Sequence, residues 1–240
     1  MIESAATNLI YEDSTMRAYR VERGIERILL APFPAEHPCI SATDYDCGRK
    51  ISLRFGLADL PWTANMGHFW KAINMRHCMM RAMNLLLHSS YVKTEQGALL
   101  FPGEARVGKS TQAMLWARYR GAKIVNGDRA VIGMERGQAM AYGVPLVGSG
   151  LICQNISAPL RAVVVVRQGE ENSVVRLTGP RAVAAVGANL AIDRWRAGEY
   201  ATALSILEQI LADVPVYQLS CTPDEGAVQA LEKVLKEEGR

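Results

Sequence analysis

The chain has 240 residues, enough for one substantial domain or for a core domain with an appendage, and its 49% hydrophobic and 21% charged content excludes disorder as the default state. Twenty-seven Lys and Arg against 24 Asp and Glu leave a formal charge of +3, too balanced for a duplex-binding surface, so any basic function is local. Five scattered cysteines without a C-x-x-C pair argue against a disulfide framework or a zinc ribbon. No purely apolar run exceeds the five residues of 162–166, far too short for a membrane span, and no basic-then-apolar leader precedes residue 20. The expectation is a cytoplasmic protein with no membrane or nucleic-acid partner.

Residues 1–66 read as an irregular N-terminal extension or subdomain, or as a β extension of the main sheet. They hold strand-like pieces at 16–21 and 50–55, separated by the proline-rich stretches 31–34 and 36–38. Residues 67–240 read as the main domain. Apolar residues at three- and four-residue steps predict a helix over 67–87, with its methionines as core filling. Residues 86–93 and 98–101 follow as two strands of a hairpin around Thr94-Glu95-Gln96-Gly97. A helix over 109–120 should stop at Gly121, and a short buried strand over 122–125 should end at Asn126-Gly127-Asp128. Hairpins are expected for 130–134 with 138–142 and for 160–167 with 173–177. Helices are expected over 181–196 and 201–212, then a strand over 214–219. The last helix carries start signals at Thr222 (N-cap), Pro223 and Glu225. Strands mixed with helices, some in hairpins, define an α/β class with an antiparallel component.

Gly103-Glu104-Ala105-Arg106-Val107-Gly108-Lys109-Ser110 matches G-x-x-x-x-G-K-[ST], the Walker A pattern, with an apolar strand before it and a helix after it. Gly103 and Gly108 let backbone N–H groups converge on phosphate oxygens, and the helix N-terminus adds free donors. In that chemistry Lys109 bridges the β- and γ-phosphates, Ser110 ligates Mg²⁺, and Thr111 adds a phosphate contact. Arg106, inside the loop, and Arg129 are placed to steady phosphate charge, with Arg167 a weaker candidate. Asp128, at a strand end after the helix, suits a magnesium ligand, direct or through water, or a proton acceptor. His88 reaches the mouth of the loop in either plausible hairpin register, which sets Gly103 opposite His88 or opposite Ser90. There it would contact a transferring phosphoryl group or adjust a neighbouring carboxylate. His37 and His77 lack metal-ligand spacing and read as structural. Residues 143–150, rich in glycine, read as a substrate loop or a plain connection.

Leu87-His88-Ser89-Ser90, the loop Gly103 to Thr111, and Gly121-Ala122-Lys123-Ile124-Val125-Asn126-Gly127-Asp128 together resemble the HPr serine kinase family. The resemblance implies a PEP-carboxykinase-like P-loop nucleotide-binding fold with a mixed sheet and hairpins, plus the small N-terminal extension. It implies an ATP-dependent kinase with His88 and Asp128 as the catalytic pair. Gly103, Arg106, Val107, Gly108, Lys109, Ser110 and Thr111 would hold the nucleotide, and Ser110 and Asp128 the Mg²⁺. The acceptor would be a serine of a small protein or peptide, or a small metabolite, and a homo-oligomer is among the admissible assemblies. The family carries paired aspartates where this chain has Gly127-Asp128, Ala105-Arg106 replaces its usual serine-glycine, and its Pro-Val-Arg-Pro-Gly-Arg-Asn segment is absent. These departures leave a nucleotide-binding regulatory module or an ATPase switch as the alternative.

Overall fold

The computed structural model describes residues 75–146, 152–192 and 198–239, and before them the strands at 9–12, 16–20, 26–32, 40–44 and 51–54. The chain divides into two compact units, Met1–Ala82 with Asp193–Ala197, and Met83–Ile192 with Gly198–Arg240. The division falls after Ala82, where the sequence suggested residue 66.

In the first unit β1 (Leu9–Glu12), β2 (Met16–Arg20), β3 (Glu26–Pro32), β4 (Ile40–Asp44) and β5 (Ile51–Arg54) pair in chain order as an antiparallel sheet of their own. Two of the five were legible as strand-like pieces. The unit also holds α1 (Met75–Arg81). The start of the helix expected over 67–87 lies outside the described residues, and its end is corrected. Met83 takes a left-handed φ of 58° and β6 (Asn84–Thr94) begins directly after it. Leu85, Leu86 and Leu87 are all buried, so this strand is covered on both faces and lacks the alternation that marks a strand in sequence.

The second unit is built on an eight-stranded mixed sheet in the order β10 (Gln138–Tyr142), β9 (Arg129–Glu135), β6, β7 (Gly97–Pro102), β11 (Ser157–Gln168), β13 (Val216–Cys221) and β12 (Ser173–Leu177), with β8 (Lys123–Asn126) also on β6. β6 and β7 (Gly97–Pro102) form the expected hairpin, Thr94 opposite Gly97 and Ser89 opposite Pro102. That register carries Gly103 to the level of His88. β8 (Lys123–Asn126) and β9 (Arg129–Glu135) both run antiparallel to β6, and β9 turns through Arg136-Gly137 into β10 (Gln138–Tyr142). β10 pairs in turn with β11 (Ser157–Gln168), which closes the path β10-β9-β6-β7-β11 on itself.

The hairpin expected for 160–167 with 173–177 does not form. β13 (Val216–Cys221) inserts between β11 and β12 (Ser173–Leu177), parallel to the first and antiparallel to the second. β11 is also parallel to β7. A strand whose residues 160–166 are all buried needs partners on both edges, and a short local hairpin would leave the long crossover unpaired.

α2 (Lys109–Arg120) ends at Gly121, whose φ of 63° makes the left-handed stop expected from sequence. Phe101, Trp116, Val164, Leu219, Leu231 and Leu235 share one buried cluster, joining α2 and α5 (Glu225–Glu237) to a single face of the sheet. Leu100, Val163 and Val165, at the alternate positions, are buried as well. α3 (Gly179–Gly187) and α4 (Glu199–Leu211) pack on one another, with α3 also on β11 and α4 on β6 and β9.

α3 is shorter than its expected 181–196, because residues 189–191 turn aside to bond β6: the N–H of His88 donates to Asn189 and that of Ala191 to Leu86. α5 starts later than expected, with Asp224 as its cap, accepting from the Gly226 N–H at 2.8 Å. Thr222, the cap expected from sequence, instead donates to Asp224 and bonds Asn172. Among the described residues no helix is long and apolar enough to cross a membrane.

Candidate functional site

The loop between β7 and α2 is shaped by steric demands that its residues meet. A Cβ on Gly103 would lie 2.7 Å from a Val107 methyl and 3.2 Å from the Val166 carbonyl, so only glycine fits at this crossing. Arg106 and Gly108 take left-handed φ values of 66° and 112°. Gly108 caps α2 without a side chain, which leaves the first N–H groups of the helix free to meet an anion. Val107 packs against the core, so its side chain anchors the loop.

Lys109 folds back over this loop. It is 7% exposed, and its ammonium donates to the Gly103 carbonyl at 3.0 Å and to the Glu104 carbonyl at 2.8 Å. Burial lowers its pKa, an effect that the nearby Asp128 charge opposes and Arg129 reinforces. Ser110 is exposed and donates to the Gly127 carbonyl at 3.3 Å, which ties the start of α2 to the turn after β8.

That turn presents Asp128. His88 Nε2 lies 2.9 Å from Asp128 Oδ1, and Arg129 Nε donates to Oδ2 at 2.9 Å. The His88 hydrogen bond, helped by Arg129, holds the Asp128 carboxyl well below the usual carboxylate range against the opposing effect of burial. An ionised carboxylate only accepts, so the proton of this hydrogen bond sits on Nε2.

The sequence pointed to His88, Asp128 and Arg129, and the structure brings the three into one cluster beside the loop. Arg106 is exposed at the loop and its carbonyl accepts from Gln168 at 3.2 Å. Arg167 is exposed at the end of β11. His37 and the side chain of His77 lie outside the described residues.

Asn126 is the residue whose importance the sequence concealed. It is fully buried, and its Oδ1 accepts from the N–H groups of Asp128 at 2.8 Å and Arg129 at 2.9 Å. Its Nδ2 donates to the carbonyls of Val144 at 3.1 Å and Leu146 at 2.8 Å. One side chain therefore closes the Asp128 turn and pins the start of the 143–150 stretch, of which 147–150 lie outside the described residues. Ser90 donates to the Gly127 carbonyl at 2.8 Å and supports the same turn from β6. Asn-Gly-Asp is a turn signal in any sequence; that its asparagine is buried only the fold reveals.

Among the described residues no cluster of three or more His, Cys, Asp or Glu could cage a metal ion. Ser110, in contact with Gly127, and the adjacent Asp128 instead suit a magnesium held mainly by phosphates and water, with one hydroxyl and one carboxylate from the protein. On the other side of the loop a cavity of about 290 Å³ lies between Val107, Thr111 and Gln112 and the ends of β11 and β13, at Val166, Cys221 and Pro223.

No family model matches the chain, and no curated protein matches it. Among solved structures it is similar to the Hpr(Ser) kinase/phosphatase from Coxiella burnetii, at 10% identity and a TM-score of 0.38, over 65% of this chain and 99% of that one.

Proposed function

We propose that the chain is an ATP-dependent kinase that transfers the γ-phosphate to a hydroxyl, on a serine of a small protein or peptide or on a small metabolite. The observation that carries this reading is the meeting of a G-x-x-x-x-G-K-S loop, with Lys109 folded over it, and a His88–Asp128 pair joined to that loop through Gly127. On binding, the Lys109 ammonium exchanges loop carbonyls for phosphate oxygens, and the free N–H groups at the start of α2 receive the rest of the charge. Bound Mg²⁺, on Ser110 and Asp128, supplies neutralisation of the phosphate charge.

A carboxylate held this far below its usual range is a weak base, so Asp128 acts by charge and by fixing the tautomer of His88. His88 Nδ1 then takes the proton of the acceptor hydroxyl as its oxygen bonds to the γ-phosphorus. The bond from that phosphorus to the β–γ bridging oxygen breaks, and ADP leaves with the electron pair.

Incubation with γ-labelled ATP and cell extract should label an acceptor, and Asp128→Asn should abolish the label. Label transfer that survives in both Asp128→Asn and His88→Ala would refute the assignment of the pair. A second reading, a module that binds nucleotide without transfer, is favoured by one observation: Gly127 offers no carboxylate where the resembled family has its first aspartate. Calorimetric binding of MgATP without label transfer or ADP formation would select it.

A further inference from the structure

We propose that Arg129 is a catalytic residue that holds the γ-phosphoryl group from the side opposite Lys109. This rests on the reading of residues 103–111 as the phosphate site, and it adds to the transfer a cation that the His88–Asp128 pair does not supply.

The sheet sets the two cations in place. His88 on β6 pairs with Arg129 on β9, and Ser89 pairs with Pro102, so Gly103, His88 and Arg129 form one row across the sheet. Cross-strand partners share a face. Lys109 lies over that face at the Gly103 end. Its Cγ is 3.8 Å from where a Gly103 Cβ would stand, and its ammonium donates to the Gly103 carbonyl at 3.0 Å. Arg129 takes the other end, two strand spacings or about 10 Å away along the row. One phosphoryl group, with a charged hydrogen bond on each side, fits between the two side chains.

Arg129 is held by one edge only. Its Nε donates to Asp128 Oδ2 at 2.9 Å, and among the described residues Asp128 is the one partner of its side chain. The terminal nitrogens of the guanidinium keep all their N–H donors. The side chain is 31% exposed, so a ligand reaches it.

The local charge favours an anion here. Lys109 and Arg129 set two positive charges against the one negative charge of Asp128. Burial lowers the Lys109 pKa; Asp128 opposes that shift and the charge of Arg129 adds to it. A phosphoryl group between the cations turns their repulsion into two attractions. Of the three oxygens on a transferring phosphoryl, one faces Lys109 and one the metal ion, which leaves the third for Arg129.

The test is calorimetry on the full chain with MgADP and with the Mg²⁺ complex of β,γ-imido-ATP, which carries the third phosphate and resists cleavage. The unaltered chain should bind the imido analogue about 10- to 100-fold more tightly than ADP. Equal affinities overturn the proposal, with no variant needed. Arg129→Gln removes the charge and keeps an amide able to bond Asp128. It should cut the preference by about tenfold, with MgADP bound within about twofold of the unaltered chain. An unchanged preference, or an equal loss for both nucleotides at an unchanged melting temperature, overturns the role of Arg129 and leaves the phosphate site standing. If Arg129→Gln does not fold, Arg129→Lys makes the same comparison. A compact ammonium cannot hold Asp128 and a phosphoryl oxygen as a planar fork does, so the preference should fall again, and an undiminished one overturns the proposal. Failure of the unaltered chain to bind either nucleotide overturns the phosphate reading and this inference with it.

Discussion

Asn126→Ala removes the side chain that closes the Asp128 turn. Four hydrogen bonds disappear, two accepted from backbone N–H groups and two donated to carbonyls, from a residue with no exposed surface. At about 1 kcal/mol per bond the loss is about 4 kcal/mol. The buried Val144 carbonyl has no water to replace its donor, whereas the half-buried N–H groups of Asp128 and Arg129 recover some hydration. For a chain of this length the loss corresponds to a fall in melting temperature of roughly 8–16 °C. Urea unfolding followed by circular dichroism measures it, with midpoints compared at constant slope. MgATP affinity should fall as well, because Asp128 loses the turn that aims it. A loss below about 1 kcal/mol with unchanged nucleotide affinity would refute the view that Asn126 organises the site.

Lys109→Ala should weaken MgATP binding by about 10- to 100-fold in calorimetry, and unchanged affinity would contradict the loop assignment. The Asp128 carboxyl is held below its usual range by His88 and Arg129, so its contribution to stability is complete above the unfolded value of about 4 and fades as pH falls further. The gap in urea midpoint between the unaltered chain and Asp128→Asn should be steady between about pH 5 and 7 and shrink below about pH 4; a constant gap down to pH 3 would sink that account. Gly103→Ala meets Val107 and the Val166 carbonyl and should cost about 1–3 kcal/mol together with nucleotide affinity. Gly121→Ala meets nothing within 4 Å and should cost only about 1 kcal/mol for its left-handed φ, with affinity intact. Gly127 also has open space and no positive φ, so Gly127→Asp should fold within about 0.5 kcal/mol of the unaltered chain and strengthen the Mg²⁺ dependence of nucleotide binding.

What was legible in the sequence was local. The loop, the helix Lys109–Arg120 with its Gly121 stop, and the hairpins β6–β7 and β9–β10 depend on neighbouring residues and on turn chemistry, which sequence spacing reports directly. Even His88 could be brought to the loop, because a two-residue hairpin turn leaves few registers. Pairing between distant strands was not legible. β13 enters between β11 and β12 from a segment some forty residues downstream of β12, and no local signal distinguishes that from a hairpin. Asn84–Leu87 read as helix because a strand buried on both faces loses its period of two.

By itself, then, the sequence determined that this balanced chain of 240 residues brings a lysine and the N–H donors of a helix start together at one loop, because glycine spacing and helix starts are properties of adjacent residues. Only the tertiary structure decided that Asn126 is buried and satisfied four times over, and that Gln112 is buried with its oxygen unpaired. Whether a polar side chain finds a partner depends on which distant backbone the fold packs against it.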